Sequence, residues 1–329
     1  MERTVLFIGG TGTISWSCAT EAIAAGWKVS VLNRGNFAKR PLPEGAELIT
    51  ADLDDDAALT NAVGGREFDV VADFMSFTTD RLERNMKLFE GKMGQYVFIS
   101  SASAYAKPVA RLPITESTPL ANPFWQYSRD KIACENLLVE AFRDRGFPAT
   151  IVRPSHTYDA GLLPNHGEWT DIVRMRAGKP IVVLGDGTSL WTLTHASDFA
   201  QWYVPLLGER RAIGDVFQIT SDEAIPWDAI YRELASAAGV SDPQFVHVAS
   251  ETIAQELPDW GPGLLGDKAH SVVFDNSKVR SLAPGAAQKV PFSVGAKQII
   301  EFHDAHPEFA VFNDEVDAAY DRLIARVTG

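Results

Sequence analysis

The stretch Thr4–Ser15, TVLFIGGTGTIS, constrains the fold more than any other part of the chain. Val5, Leu6, Phe7 and Ile8 form an unbroken apolar run, which reads as a strand buried on both faces of a parallel sheet. Gly9, Gly10, Thr11 and Gly12 follow, then an apolar helical pattern from Ile14 to Ala25 that Gly26 ends. A strand, a glycine turn and a helix in that order set bare backbone N–H groups and a helix N-terminus against a pyrophosphate. Gly9 allows the tight turn, Gly12 lets a diphosphate approach, and Thr13 and Ile14 open the helix beside it. Ser15 takes the third position of a G-x-x-G-x-x-G spacing and is small enough for helix and strand to pack closely.

The 329 residues, 46% hydrophobic and 22% charged, suffice for one large domain or two modest ones. A formal net charge of −13 disfavours a sequence-independent nucleic-acid partner, since phosphates call for Lys and Arg. Cys18 and Cys134 lack metal-ligand spacing and read as reduced core residues. His303 and His306 have no third ligand nearby and read as surface residues, so no metal is expected. With no leader-like start and no apolar run of membrane-spanning length, a cytoplasmic enzyme without a membrane partner is expected.

Strands at Lys28–Leu32, Ala46–Thr50, Phe68–Phe74 and Tyr96–Ser100 alternate with helical patterns, among them Thr79–Phe89. This is the pattern of an α/β fold with a doubly wound parallel sheet, a Rossmann sheet. The second strand ends at Asn33-Arg34-Gly35 without the acid that would take a ribose 2′-hydroxyl. Arg34, with Lys39 and Arg40 after it, favours NADP(H), while NAD(H) stays open. Asp52 and Leu53 are placed to meet the adenine.

Ser101 follows the fifth strand at its carboxyl end, where open α/β sheets place their ligands. Tyr127 and Lys131 lie four apart in a helical pattern from Phe124 to Arg145 and therefore share a face. Arg153-Pro154, Gly185-Asp186-Gly187, His195-x-x-Asp198 and Phe274-Asp275-Asn276-Ser277-Lys278 follow. With the glycine loop, these residues make the chain resemble the extended short-chain dehydrogenase/reductases of the epimerase/dehydratase branch. The loop GGTGTIS and the run RPSHTYD are closer to an atypical subgroup that includes plastid stem-loop-binding proteins.

The resemblance implies a Rossmann domain over 1–160, to which 192–222 return, and a smaller C-terminal substrate lobe from 161–191 and 223–329. It implies Tyr127 as acid/base, Ser101 as the second hydrogen-bonding group on the substrate oxygen, and Lys131 beneath the phenol and on the nicotinamide ribose. A free tyrosine titrates near 10, so a cation beneath it and a charged nicotinamide beside it would lower that value towards use. His156 takes the place of a substrate-contacting Asn, and His166 and Trp169 follow in a Pro- and Gly-containing stretch suited to substrate. Trp191 stands where related nucleotide-sugar enzymes carry a diphosphate-gripping arginine, so a non-nucleotide substrate gains weight. Ala102-Ser103-Ala104 lacks the acids of the dehydratases, which disfavours dehydration. The expectation is an oxidoreductase or epimerase acting on a secondary alcohol or ketone of a carbohydrate-like small molecule. A homodimer through Thr79–Phe89 and Phe124–Arg145 is implied by the resemblance alone. A non-catalytic dinucleotide-binding regulatory or RNA-associated protein is the alternative.

Overall fold

In the computed structural model, which describes residues 3–36 and 39–329, successive side chains of the first strand serve opposite cores. Along β1 (Thr4–Ile8), Val5 and Phe7 pack to one side, with Cys18, Ala19 and Ala22 of α1 (Thr13–Ala24). Leu6 and Ile8 pack to the other. The pleat divides an unbroken apolar run between two layers of helix, so no residue in it can be polar. Each large side chain removed from water in this way contributes roughly 1.5–3 kcal/mol.

The pattern continues through β2 (Lys28–Asn33), β3 (Glu47–Thr50), α2 (Asp56–Val63), β4 (Phe68–Asp73), α3 (Thr79–Phe89), β5 (Met93–Ile99), α4 (Gln126–Arg145) and β6 (Ala149–Pro154). Asp55 caps α2, its carboxylate accepting from the amides of Ala57 and Ala58. Leu82 and Met86 of α3 and Cys134 and Leu138 of α4 cover the Leu6–Ile8 face. Both cysteines are buried and free.

Beyond β6 the chain forms β7 (His156–Tyr158), α5 (Trp169–Arg176), β8 (Ile181–Leu184), β9 (Leu190–Trp191), β10 (Leu193–His195) and α6 (Ala196–Tyr203). It then re-enters the main sheet as β11 (Val216–Ile219). The seven strands run in the order β11-β6-β5-β4-β1-β2-β3, every neighbour parallel. The order reverses beside β1, the point where such sheets open a ligand crevice.

A third core gathers α5, β8 and α7 (Trp227–Ala237) with the helices Phe292–Ala305 and Asp314–Thr328. His303 belongs to it: the ring is buried, stacks on Trp169 with centroids 5.1 Å apart, and bonds the Ile299 carbonyl at 2.9 Å. The surface placement expected for His303 is thus corrected, and only His306 is exposed. Among the described residues, no helix is long and apolar enough to cross a membrane.

Candidate active site

The turn after β1 is built around Gly9, whose φ of +94° belongs to the region open to glycine. A Cβ there would also fall 2.4 Å from Met75 Cγ. Ser15 locks the turn: its hydroxyl donates to the Gly9 carbonyl at 3.0 Å and accepts from the Gly12 amide at 2.9 Å. The Gly12 amide is therefore engaged rather than bare. In the first turn of α1, the amides of Thr13 and Ile14 have no hydrogen-bond acceptor among the described residues. They are the free donors that an anion at this helix N-terminus needs.

Two cavities meet at the turn. One, of about 520 Å³, is lined by Gly9, Gly12, Thr13, Ile14 and Ser15, and across from them by Ser101, Tyr127, Lys131, His156 and Trp191. The other, of about 590 Å³, is lined by Gly9, Gly12, Asn33, Arg34, Asp52 and Leu53. Gly9, Gly12, Met75 and Phe77 border both, so one cleft bends around the glycine turn. Its combined volume and its orphaned amides fit a dinucleotide.

The basic residues expected together near the adenosine end separate. Arg40 forms a salt bridge with Asp159 at 2.5 Å and donates to the Thr13 hydroxyl, and Lys39 donates to the Gly161 carbonyl at 3.2 Å. Both tie their loop to the segment after β7, and of the three Arg34 lines the second cavity.

Tyr127 sits in the first turn of α4 with its ring between Trp125 and Phe77, at centroid distances of 5.0 and 6.3 Å. Burial raises its pKa above the ordinary tyrosine value, the Ser101 hydroxyl working against that shift and Asp267 adding to it. Lys131, expected to lower that value together with a charged nicotinamide, is not among the groups that shift it. The Lys131 ammonium donates to the carbonyls of Ser76 and Ile99, both at 2.8 Å, and stands 5.9 Å from the Tyr127 ring centroid. Burial pulls Lys131 itself down to about 8, against the opposing pull of the Asp73 carboxylate.

Asp73, buried at the end of β4, builds the Lys131 perch. It accepts from the amides of Met75 and Ser76 at 2.9 Å, and from Asn85, Tyr96 and the Ser76 hydroxyl. One turn beyond Lys131, Glu135 pairs with Arg153 of β6 at 2.5 Å, and Arg153 lies 4.8 Å over the Tyr105 ring. This cross-brace fixes the angle of α4 against the sheet.

Ser101 caps a short 3-10 turn, Ala102–Ala104, and its hydroxyl lies 2.9 Å from that of Ser103. Ser103 accepts in turn from Ser128 at 2.8 Å. Ser103 lines the same cavity, so the stretch read for its lack of acids carries a hydroxyl relay instead. Spacing gave no signal for it, because Ser128 reaches Ser103 from α4.

His156 and Trp191 line the cavity as expected, but they act on each other. The Trp191 indole donates to His156 Nδ1 at 3.0 Å, leaving the hydrogen of the neutral ring on Nε2. Burial, then the Lys268 ammonium, push His156 down to about 3. His166 and Trp169 fall outside the cavity. His166 packs on Trp260 at 4.9 Å, and Trp169 is taken by His303 in the third core. Asp267 and Lys268 line the cavity without having been anticipated. Among the described residues, no group of three or more His, Cys, Asp or Glu is placed to hold a metal.

The model of the NAD dependent epimerase/dehydratase family matches residues 5–220. The 2'-dehydrokanamycin reductase of Streptomyces kanamyceticus is 29% identical over 291 residues, 87% of this chain and 80% of that protein. A chloroplast stem-loop binding protein of 41 kDa from Arabidopsis thaliana is 27% identical over 75% of this chain and 66% of its own. Among solved structures, epimerase Mth375 of Methanothermobacter thermautotrophicus superposes with a TM-score of 0.78 at 15% identity, covering 94% of each chain. UDP-glucose 4-epimerase of Bifidobacterium longum, solved with NAD+ and UDP, gives 0.72 at 19% identity, over 93% of this chain and 99% of its own. These structures share the fold. The chain belongs to the NAD dependent epimerase/dehydratase family and is an enzyme of the oxidoreductase or epimerase kind, one that works with a nicotinamide cofactor.

Proposed function

We propose that the enzyme interconverts a secondary alcohol and its ketone on a carbohydrate-like or otherwise polar small molecule, with Tyr127 as the acid/base. One observation carries this reading: Ser101, Tyr127 and Lys131 border the same cavity as the glycine turn, which opens onto a second cavity beside Arg34. The coenzyme, when bound, supplies the ring that accepts or donates hydride.

The chain's own residues then have distinct tasks. The amides of Thr13 and Ile14 receive the pyrophosphate, and Arg34 faces the adenosine ribose. The Tyr127 phenol gives a proton to a forming alkoxide, or takes one from the alcohol in the other direction. Ser101, oriented through Ser103 and Ser128, holds the substrate oxygen. Lys131 keeps two of its three hydrogens on carbonyls, leaving one for the ribose beside Tyr127. The raised Tyr127 pKa keeps the phenol protonated until the step calls on it.

Arg34, with no acid at the end of β2 beside it, supports NADP(H) over NAD(H), and release of cofactor each cycle would make the enzyme a reductase rather than an epimerase. The absence of acids in Ala102-Ser103-Ala104 weighs against dehydration. The RNA-associated alternative rests on the stem-loop-binding relative, and a net charge of −13 opposes it. Screening sugars and ketones at the nicotinamide absorbance band, with a coupled assay for epimerisation, tests the reading. Failure of every secondary alcohol or ketone, together with an RNA gel shift at physiological salt, would overturn it.

A further inference from the structure

Lys268 ends Leu264–Lys268, a turn of π-helix whose backbone is pinned on several sides. The Asn122 amide donates to the Gly266 carbonyl at 2.7 Å, and the Trp227 indole donates to the Lys268 carbonyl at 3.2 Å. A Cβ on Gly266 would lie 2.9 Å from Asn122 Oδ1 and 3.1 Å from Trp125 Cβ, so only glycine lets the segment approach this closely. The neighbouring Asp267 carboxylate is matched by the buried Lys107 ammonium at 3.1 Å.

The Lys268 ammonium is not matched in this way. It borders the substrate end of the cleft, 6.0 Å from the ring centroid of Trp125 and 5.9 Å from that of Trp191. Among the described residues, it has no hydrogen-bond or ion-pair partner. His156 Nε2, which carries the ring hydrogen because Nδ1 is held by Trp191, also has no partner among them. Two unsatisfied donors, one charged and one neutral, thus flank a pocket with indole rings on its walls. Both face the cavity, where a ligand oxygen can meet them.

We propose that Lys268 and His156 form an oxyanion-receiving subsite that selects a substrate carrying a single carboxylate or phosphate group. The inference rests on the reading of this cavity as the substrate site. One ammonium matches one negative charge, and a second donor beside it suits the paired oxygens of a carboxylate or phosphate. The indole rings of Trp125 and Trp191 offer apolar faces for the carbon skeleton. His156 remains a neutral donor at any physiological pH, because burial and the adjacent ammonium keep it from charging. Burial also lowers the Lys268 pKa, so an oxyanion binding there would favour the charged amine and take up a proton when the pH exceeds its value. The cation missing at Trp191 is thereby supplied from a distant segment of the chain.

The test is calorimetric titration of the NADP+-loaded protein with glucuronate, glucose 6-phosphate, glucose and glucosamine. At least one of the two anions is expected to bind tenfold or more tightly than glucose, and whichever does so separates carboxylate from phosphate recognition. Lys268→Met should erase that preference and Lys268→Arg should restore most of it. If Lys268→Met does not fold, His156→Phe supplies the second measurement and should weaken the favoured anion at least threefold. Equal binding of glucose or glucosamine, no binding of either anion, or a preference that survives Lys268→Met would overturn the proposal. Tyr127→Phe is taken through the same titrations. Retained anion preference in a variant that has kept wild-type turnover would sink the proton-transfer role and leave the subsite standing.

Discussion

The Lys131 ammonium donates to the Ser76 carbonyl at 2.8 Å, and Ser76 is itself held by Asp73 through its amide at 2.9 Å. A carboxylate that Lys131 does not touch therefore fixes where its charge sits. The same carboxylate opposes the downward pull of burial on that charge.

This arrangement sets a pH dependence. Burial holds Lys131 down at about 8 in the folded protein against 10.5 for a free lysine, so between those values the unfolded chain binds more protons. Its contribution to stability therefore rises with pH across that window, while the ammonium itself is lost from the folded site as pH passes about 8. NADP(H) affinity, followed by nicotinamide fluorescence, should weaken on the alkaline side. Asp73→Asn should move the midpoint to lower pH, and an unmoved midpoint in a variant with a normal melting curve would remove Asp73 from this role.

Tyr127→Phe keeps the ring between Trp125 and Phe77 and deletes only the transferable proton. Turnover should fall by roughly a hundred- to ten-thousand-fold, the usual range for losing a general acid/base. Cofactor affinity should stay within about twofold, since the phenol packs beside the cofactor cleft rather than gripping its phosphates. Steady-state rates paired with fluorescence titration check both halves.

Arg34 and Arg40 should separate under mutation. Arg34→Ala is expected to weaken NADP(H) by about tenfold, the scale of one charge-assisted contact to phosphate, with a smaller effect on NAD(H). Arg40→Ala removes the Asp159 salt bridge and should leave the NADP(H)-to-NAD(H) ratio unchanged. Equal losses of both cofactors in Arg34→Ala would refute the assignment.

Asp171 gives a stability prediction away from the chemistry. Burial raises its pKa to about 7, although Asn165 donates to one oxygen at 2.7 Å. The folded state thus holds a proton that the unfolded chain releases near 4, so stability should fall as pH rises from about 4 to 7. The full loss is on the order of 4 kcal/mol. Asp171→Asn should flatten that slope in a melting-temperature series, and an unchanged slope would show that another group causes it.

The glycine turn and the Tyr127–Lys131 pair were legible because each is local: a strand-turn-helix in one stretch and a four-residue helical spacing in another. Lys268 was not, because Gly261-Pro262-Gly263 before it reads as a loop and its neighbours Asn122, Trp125 and Trp191 are remote in sequence. Trp169 misled for the same reason. Its setting suggested a substrate loop, whereas the ring that covers it, His303, arrives from a helix near the C-terminus. Arg40 follows Arg34 closely in sequence, but Asp159 claims it. The sign of the Tyr127 shift also lies beyond a sequence reading, since it depends on burial outweighing the Ser101 hydroxyl.

The late return of β11 limits how the chain can be divided. Cutting after β7 would strip β6 of its outer neighbour and leave an apolar strand with open amides and carbonyls, a template for fibrous association. Any swap of substrate-recognising halves between relatives must therefore carry Val216–Ile219 along with the first half. Homologous exchange in this fold needs two crossover points rather than one.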